Sequence, residues 1–296
     1  MPLSTFQKIL IAFDGSPNSV EACDLASILA KAYKSQVTIA HVIPPIPGLT
    51  ARRRQAYEAS VENKAEMLAM KMTSRLNNEG LQAKTQTLHN KNSVSDALIE
   101  FSASEKIDLI VAGTRGLGAF GRMVLGSVST QLVNQAPCPV LVVRKRIYRI
   151  ETQLQKIVVA VDGSKNANKA VEYAASIAKN VGADLSIVHV VYLPPYTFAV
   201  GGYAMGEIYE SLLQDGKKIA EEAASLAEKN GVHPTTKVIE NAQSPVNAIT
   251  KFAEEEKFDL IVIGTRGLGG IKKLFLGSVA NGVVHYAKSS VLVTRL

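Results

Sequence analysis

Gly113, Gly116, Gly118 and Gly121 crowd one short stretch, and Gly126-Ser127 ends it ahead of Val128-Ser129-Thr130. Glycine tolerates positive φ and carries no side chain, so a loop of this kind can bend sharply and bring its amide N–H groups against a ligand. Ser127 is placed to cap a helix whose next amides point outward without partners. Free N–H groups and the positive end of a helix dipole meet there, and phosphate is the natural guest. Arg115 sits inside the loop, where its guanidinium can neutralise phosphate charge. The plainer alternative is a tight strand-to-helix turn that holds no ligand, with Arg115 facing solvent.

The chain carries this stretch twice. Most residues of Asp108–Ser129 are repeated in Asp259–Ala280, with Gly264, Arg266, Gly267 and Gly277-Ser278-Val279 at the same internal spacing, while the residues between Gly270 and Phe275 differ. An internal repeat of this length marks two similar domains. Retention of the glycines and of Gly-Ser-Val in both copies argues against a bare turn. Ser129 offers a further hydroxyl, but its counterpart is Ala280, so a contact common to both copies has to use the backbone amide there.

Elements must position these residues. Leu109–Ala112 is a continuous apolar run, which suits a strand covered on both faces in a parallel sheet. Earlier, Lys8–Phe13 reads as another such strand, and Asp14-Gly15-Ser16-Pro17 turns into a helix reaching Tyr33, with Pro17 at its first position. Strands are expected at Val37–Ile43, Lys84–Leu88 and Val140–Val143, separated by helices at Arg52–Asn77, at Val94–Glu105 and after Ser127. This βαβαβαβαβ alternation predicts a doubly wound parallel α/β fold with right-handed crossovers. The second half repeats it from Lys156–Val161, where Asp162-Gly163-Ser164 matches Asp14-Gly15-Ser16 and His189-Val190 matches His41-Val42. Domains are expected at 1–146 and 155–296. Asp14 and Asp162, each just past a strand, can accept hydrogen bonds from a ribose hydroxyl or an adenine amine, or can cap the helix that follows.

The pattern Gly, two residues, Gly, nine residues, Gly-Ser is filled by Gly113, Gly116, Gly126-Ser127 and again by Gly264, Gly267, Gly277-Ser278. It resembles the nucleotide signature of the universal stress protein family, and the similarity extends over the whole chain as two family domains in tandem. The resemblance implies two five-stranded, Rossmann-like parallel sheets in the order 3-2-1-4-5, so that Asp14 and Gly113 face one crevice at the switch point. It further implies that the terminal edge strands pair the domains as an internal pseudo-dimer. ATP, with magnesium as an optional companion, is the implied cofactor. Adenine would be contacted by Val42 or Val190 and by Ala12 or Ala160, positions where backbone or apolar surface makes the contact; the family often has proline at the latter pair. The implied function is a regulatory stress-response module with one ATP site per domain, read by a protein partner in the cytoplasm, with a homodimer as a further expectation. A slow ATPase is the alternative, although the sequence marks no residue that positions an attacking water; a nucleotide-free interaction scaffold is another.

Composition narrows the classes. The 296 residues are 47% hydrophobic and 20% charged, with mean hydropathy +0.10, and no apolar run approaches the roughly 20 residues of a membrane span. No signal peptide or membrane segment is expected. The formal net charge of +7 favours anionic partners. Without interleaved aromatics, the clusters Arg52–Arg54 and Arg144–Arg146 read as solvated surface, and no nucleic acid is expected. Cys23 and Cys138 read as buried thiols, and His41 and His189 as core residues of apolar strands rather than bases. No metal-ligand spacing and no Walker-type lysine loop occurs. Tyr192–Tyr203 is aromatic and glycine-containing, which suits either a flap over the second nucleotide or a packing loop.

Overall fold

Ile9, Leu10 and Ile11 are wholly buried, as expected of a strand covered on both faces, and they form the centre of the first of two compact units. The computed structural model describes residues 6–43, 66–89, 92–114, 125–144, 153–192, 204–265, 267 and 276–296. Arg115, Gly116 and Arg266, with the segment 193–203 and Arg52–Arg54, lie outside the described residues. No described helix is long and apolar enough to cross a membrane.

The first unit lies within Thr5–Lys145. Its strands are β1 (Lys8–Ala12), β2 (Gln36–Ile43), β3 (Gln82–His89), β4 (Leu109–Gly113) and β5 (Val140–Val143), all parallel, in the order β3-β2-β1-β4-β5. Register aligns Ala12 with Ala40 of β2 on one side and Ala112 of β4 on the other. Helix α1 (Pro17–Tyr33) lies on β1 and β4 through Ala22, Ala26 and Ala30, whose small side chains allow a close approach. The described part of α2 spans 66–78, followed by α3 (Val94–Ser104) and α4 (Ser127–Gln135), which pack on each other.

The second unit, built mainly from Arg146–Leu296, repeats the plan. Strands β6 (Lys156–Val161), β7 (Asp184–Tyr192), β8 (Thr235–Ala242), β9 (Leu260–Gly264) and β10 (Ser290–Thr294) run parallel in the order β8-β7-β6-β9-β10. Between them lie α5 (Lys165–Val181), α6 (Ala204–Lys229), α7 (Pro245–Glu255) and α8 (Ser278–Tyr286). In both units the chain winds outward from the first strand and then returns past it. The first and fourth strands are therefore neighbours at the point where the winding reverses, which puts a crevice beyond their carboxyl ends.

The opposite ends of these strands are tied by the aspartate that begins each repeat. Asp108 Oδ2 accepts the Gln7 and Lys8 amides at 2.9 and 2.8 Å, and Asp259 Oδ2 accepts those of Gln155 and Lys156 at 2.8 and 3.0 Å. Both aspartates are thus structural, and they fix where the first strand begins relative to the fourth.

Candidate functional site

Just past β6, Asp162 Oδ1 accepts the Ser164 amide at 3.0 Å across Gly163, which has φ +79°. Ser164 then caps α5 by accepting the Ala167 amide at 3.1 Å. Asp14, Gly15 and Ser16 repeat this turn, with Asp14 Oδ1 on the Ser16 amide at 3.0 Å and the Ser16 hydroxyl on Ser19 N–H. The capping role that the sequence leaves open for Asp14 and Asp162 therefore belongs to the serines two residues on. Each aspartate instead ends a strand at the crevice.

Gly264 closes β9 on the other side of that crevice. A Cβ placed on it would lie 2.8 Å from the backbone carbon of Asn166 in the first turn of α5; at Gly113 the distance to Asn18 is 2.7 Å. Backbone cannot yield as a flexible side chain can, so glycine here is required by the approach of the helix. Gly264 still lines the crevice through its backbone, so close packing and the lining of the site fall on the same glycine. Gly267 is different: a Cβ there would stand 2.2 Å from Asp162 Oδ2, so the loop backbone comes directly against the carboxylate.

The base of the loop is tied. Thr265 O accepts the Gly277 amide at 2.7 Å, and Thr114 O accepts that of Gly126 at the same distance. Gly277 then begins α8, and Gly126 begins α4, as the capping residue itself, with extended backbone and no side-chain capping bond. Sequence reasoning gives the cap to Ser127. The correction has a plain cause: the tied glycine carbonyl already accepts the first intrahelical amide, from Asn281 in one unit and Thr130 in the other. Ser127 and Ser278 become the first helical residues and are exposed, and no side chain caps the amides beginning at Ser278-Val279 and Ser127-Val128.

Ser129 also braces the crevice: its hydroxyl donates to the Gly113 carbonyl at 2.6 Å, a bond that Ala280 cannot make.

In the second unit these features enclose a cavity of about 420 Å³. Ala160, Asp162 and Val190 line it from the strand ends, Gly264 and Gly267 from the loop, and Gly277, Ser278, Val279 and Ala280 from the start of α8. Arg266 is the one expected second-unit residue outside the described set. In the first unit Ala12, Asp14, Val42, Gly113, Gly126, Ser127, Val128 and Ser129 occupy the equivalent strand ends and helix start. Ala167, Pro245, Ile249 and Ile263 supply apolar wall that sequence reasoning missed. Pro245 and Ile249 belong to α7, which reaches the cavity only because the chain has crossed the sheet. A strand-end carboxylate, an apolar wall and the uncapped amides of α8 thus face one space.

The family model of the universal stress protein family matches the chain at residues 5–144 and again at 153–295. The chain belongs to the universal stress protein family. A universal stress protein of Mycolicibacterium smegmatis is 30% identical over 299 residues, covering 97% of this chain and 96% of the relative. Another, from Methanocaldococcus jannaschii, is 35% identical over 145 residues, which is 49% of this chain and 84% of that one. Among solved structures, a universal stress protein from Archaeoglobus fulgidus superposes with TM-score 0.72 at 22% identity, covering 98% of both chains. That likeness concerns the fold. As a universal stress protein, the chain is a tandem member whose two units carry the same strand order.

Proposed function

We propose that each unit binds one adenine nucleotide, ATP by preference, and that occupancy is the regulatory state of a stress-response module. The observation that carries this reading is the second-unit cavity, where the Asp162 carboxylate, the backbone of Gly264 and Gly267, and the uncapped start of α8 face one space. Phosphates sit against the amides of Ser278 and Val279, where N–H groups and helix dipole favour negative charge. Asp162 takes a ribose hydroxyl, and adenine lies between Ala160, Val190 and the apolar wall from α7. Asp14, Ala12, Val42, Gly126, Ser127 and Val128 act in the same way in the first unit, with Gly113 shaping the crevice and Arg115, Gly116 and Arg266 completing the phosphate loops. Magnesium accompanies the phosphates, and the protein works in the cytoplasm, where a protein partner, or a second copy of the chain, reads the occupied surface.

The test is to denature natively purified protein and quantify released nucleotide by chromatography, before and after incubation with ATP and magnesium. About two unchanged ATP per chain is expected from one site per unit, falling towards one in Gly267→Val, whose side chain collides with Asp162. ADP accumulating beyond stoichiometry would make the protein an ATPase. No nucleotide under either condition would sink the reading and leave an interaction scaffold.

A further inference from the structure

Two histidines outside the glycine motif hold the strand ends from which the aspartates project. His41 Nδ1 lies 3.0 Å from the Phe13 carbonyl, and His189 Nδ1 lies 2.9 Å from the Val161 carbonyl. A carbonyl only accepts, so Nδ1 carries the proton in both rings and donates. Phe13 and Val161 are the residues directly before Asp14 and Asp162. The same bond therefore sets the same peptide in each unit, although the two histidines lie on strands neighbouring the ones they hold.

The surroundings of each ring show that the arrangement is built. Gly216 lies in the interior of α6, where alanine is the better helix former. A Cβ there would lie 2.7 Å from His189 Cδ2 and 3.1 Å from Nε2, so glycine lets α6 close over the ring edge. In the first unit His41 is buried, and its Nε2 has no hydrogen-bond partner among the described residues. A polar ring is thus retained in a core position, with its one evident bond aimed at the strand end.

We infer that His41 and His189 are positioning residues of the two nucleotide sites, setting the place of Asp14 and Asp162 through the preceding carbonyl, with Gly216 seating the ring in the second unit. The inference rests on the nucleotide reading for its consequence but not for its geometry. Hydrogen bonds of this kind contribute about 1 kcal/mol, which corresponds to several-fold in affinity.

Three variants of the full chain test it: His41→Leu with His189→Leu, His41→Asn with His189→Asn, and Gly216→Ala. The asparagine amide nitrogen stands where Nδ1 stood. Calorimetric titration with ATP should show each site of the leucine pair weakened about fivefold and the asparagine pair within about twofold of wild type. Gly216→Ala, although favoured by helix propensity, should lower both the melting temperature and the second-site affinity. Wild-type affinity in the leucine pair, or equal loss in the asparagine pair, would overturn the inference. If the leucine pair does not fold, wild-type melting and binding in Gly216→Ala would do so. Should wild type bind no ATP, the nucleotide reading fails separately, and the amide nitrogen shifts of Asp14 and Asp162 decide the positioning claim. They should move in the leucine pair and stay in the asparagine pair, and unmoved shifts in the leucine pair would refute the hold on the strand ends.

Discussion

At Gly264 a single missing carbon decides whether the crevice can exist, because α5 begins where a side chain would otherwise be. Gly264→Ala should destabilise the second unit by about 1–3 kcal/mol, the range for forcing extra volume into packed structure, measured by chemical denaturation. Gly113→Ala should do the same in the first unit. Cys23 shows the opposite kind of residue, one that burial has silenced. Burial pushes its thiol from an ordinary 9.0 up to about 12, with nearby Arg75 opposing and Asp24 adding to the rise. Since the thiolate is the reacting species, Cys23 should resist an aromatic disulfide reagent at pH 8 in the folded protein and react once the chain is unfolded. Linkage sets the sign at alkaline pH. The folded value lies above the unfolded one, so this stabilisation is complete below 9.0 and is lost as pH climbs towards 12; unfolding midpoints should fall across that window.

Among the elements, α1 and α5 make a natural comparison because they are one helix written twice. Both start at a serine cap after a positive-φ glycine, and both end in a left-handed residue that returns its amide to the last turn. In α5 that residue is Gly182, at φ +71°; in α1 it is Lys34, at φ +54°. Left-handed backbone is strained for a residue with a Cβ. Lys34→Gly should therefore stabilise the first unit by about 1 kcal/mol, raising its melting temperature, and Gly182→Lys should lower that of the second. The helices that begin at the crevices, α4 and α8, behave differently. Glycine caps them without a side-chain bond, which leaves their first amides to whatever enters the crevice.

For the molecule as a whole, the division into two units carries the prediction. Each has its own fully buried centre, Ile9, Leu10, Leu109 and Ile110 in one and Ile157, Val158, Ile261 and Val262 in the other. A fragment of residues 153–296 should fold cooperatively by itself and take up about one ATP, read by calorimetry, since its cavity is lined entirely from within that unit. A fragment that melts without a cooperative transition would show that the second core depends on the first unit.

Strand and helix order, the duplication and family membership were legible in the chain because they are local or repetitive: apolar runs, alternation and glycine spacing act over a few residues at a time. The strand ends and helix start that line the second cavity were legible as well, since Asp162, Gly264 and Gly277-Ser278 lie within short motifs. Other features depend on which parts of the chain meet. Nothing near Gly113 or Gly264 in sequence says that the first helix of the same unit, two strands earlier in the chain, needs the space, and nothing near Ser129 says that its hydroxyl donates to Gly113. Ser127 lost the cap to Gly126 because a loop closed on Thr114, a contact between residues that the motif separates. His41 and Gly216 are ordinary residues in their own segments. Only the packing of a second strand and a long helix around the end of the first turns such residues into supports for an aspartate, because hydrogen bonds and van der Waals contact depend on distance in space rather than along the chain.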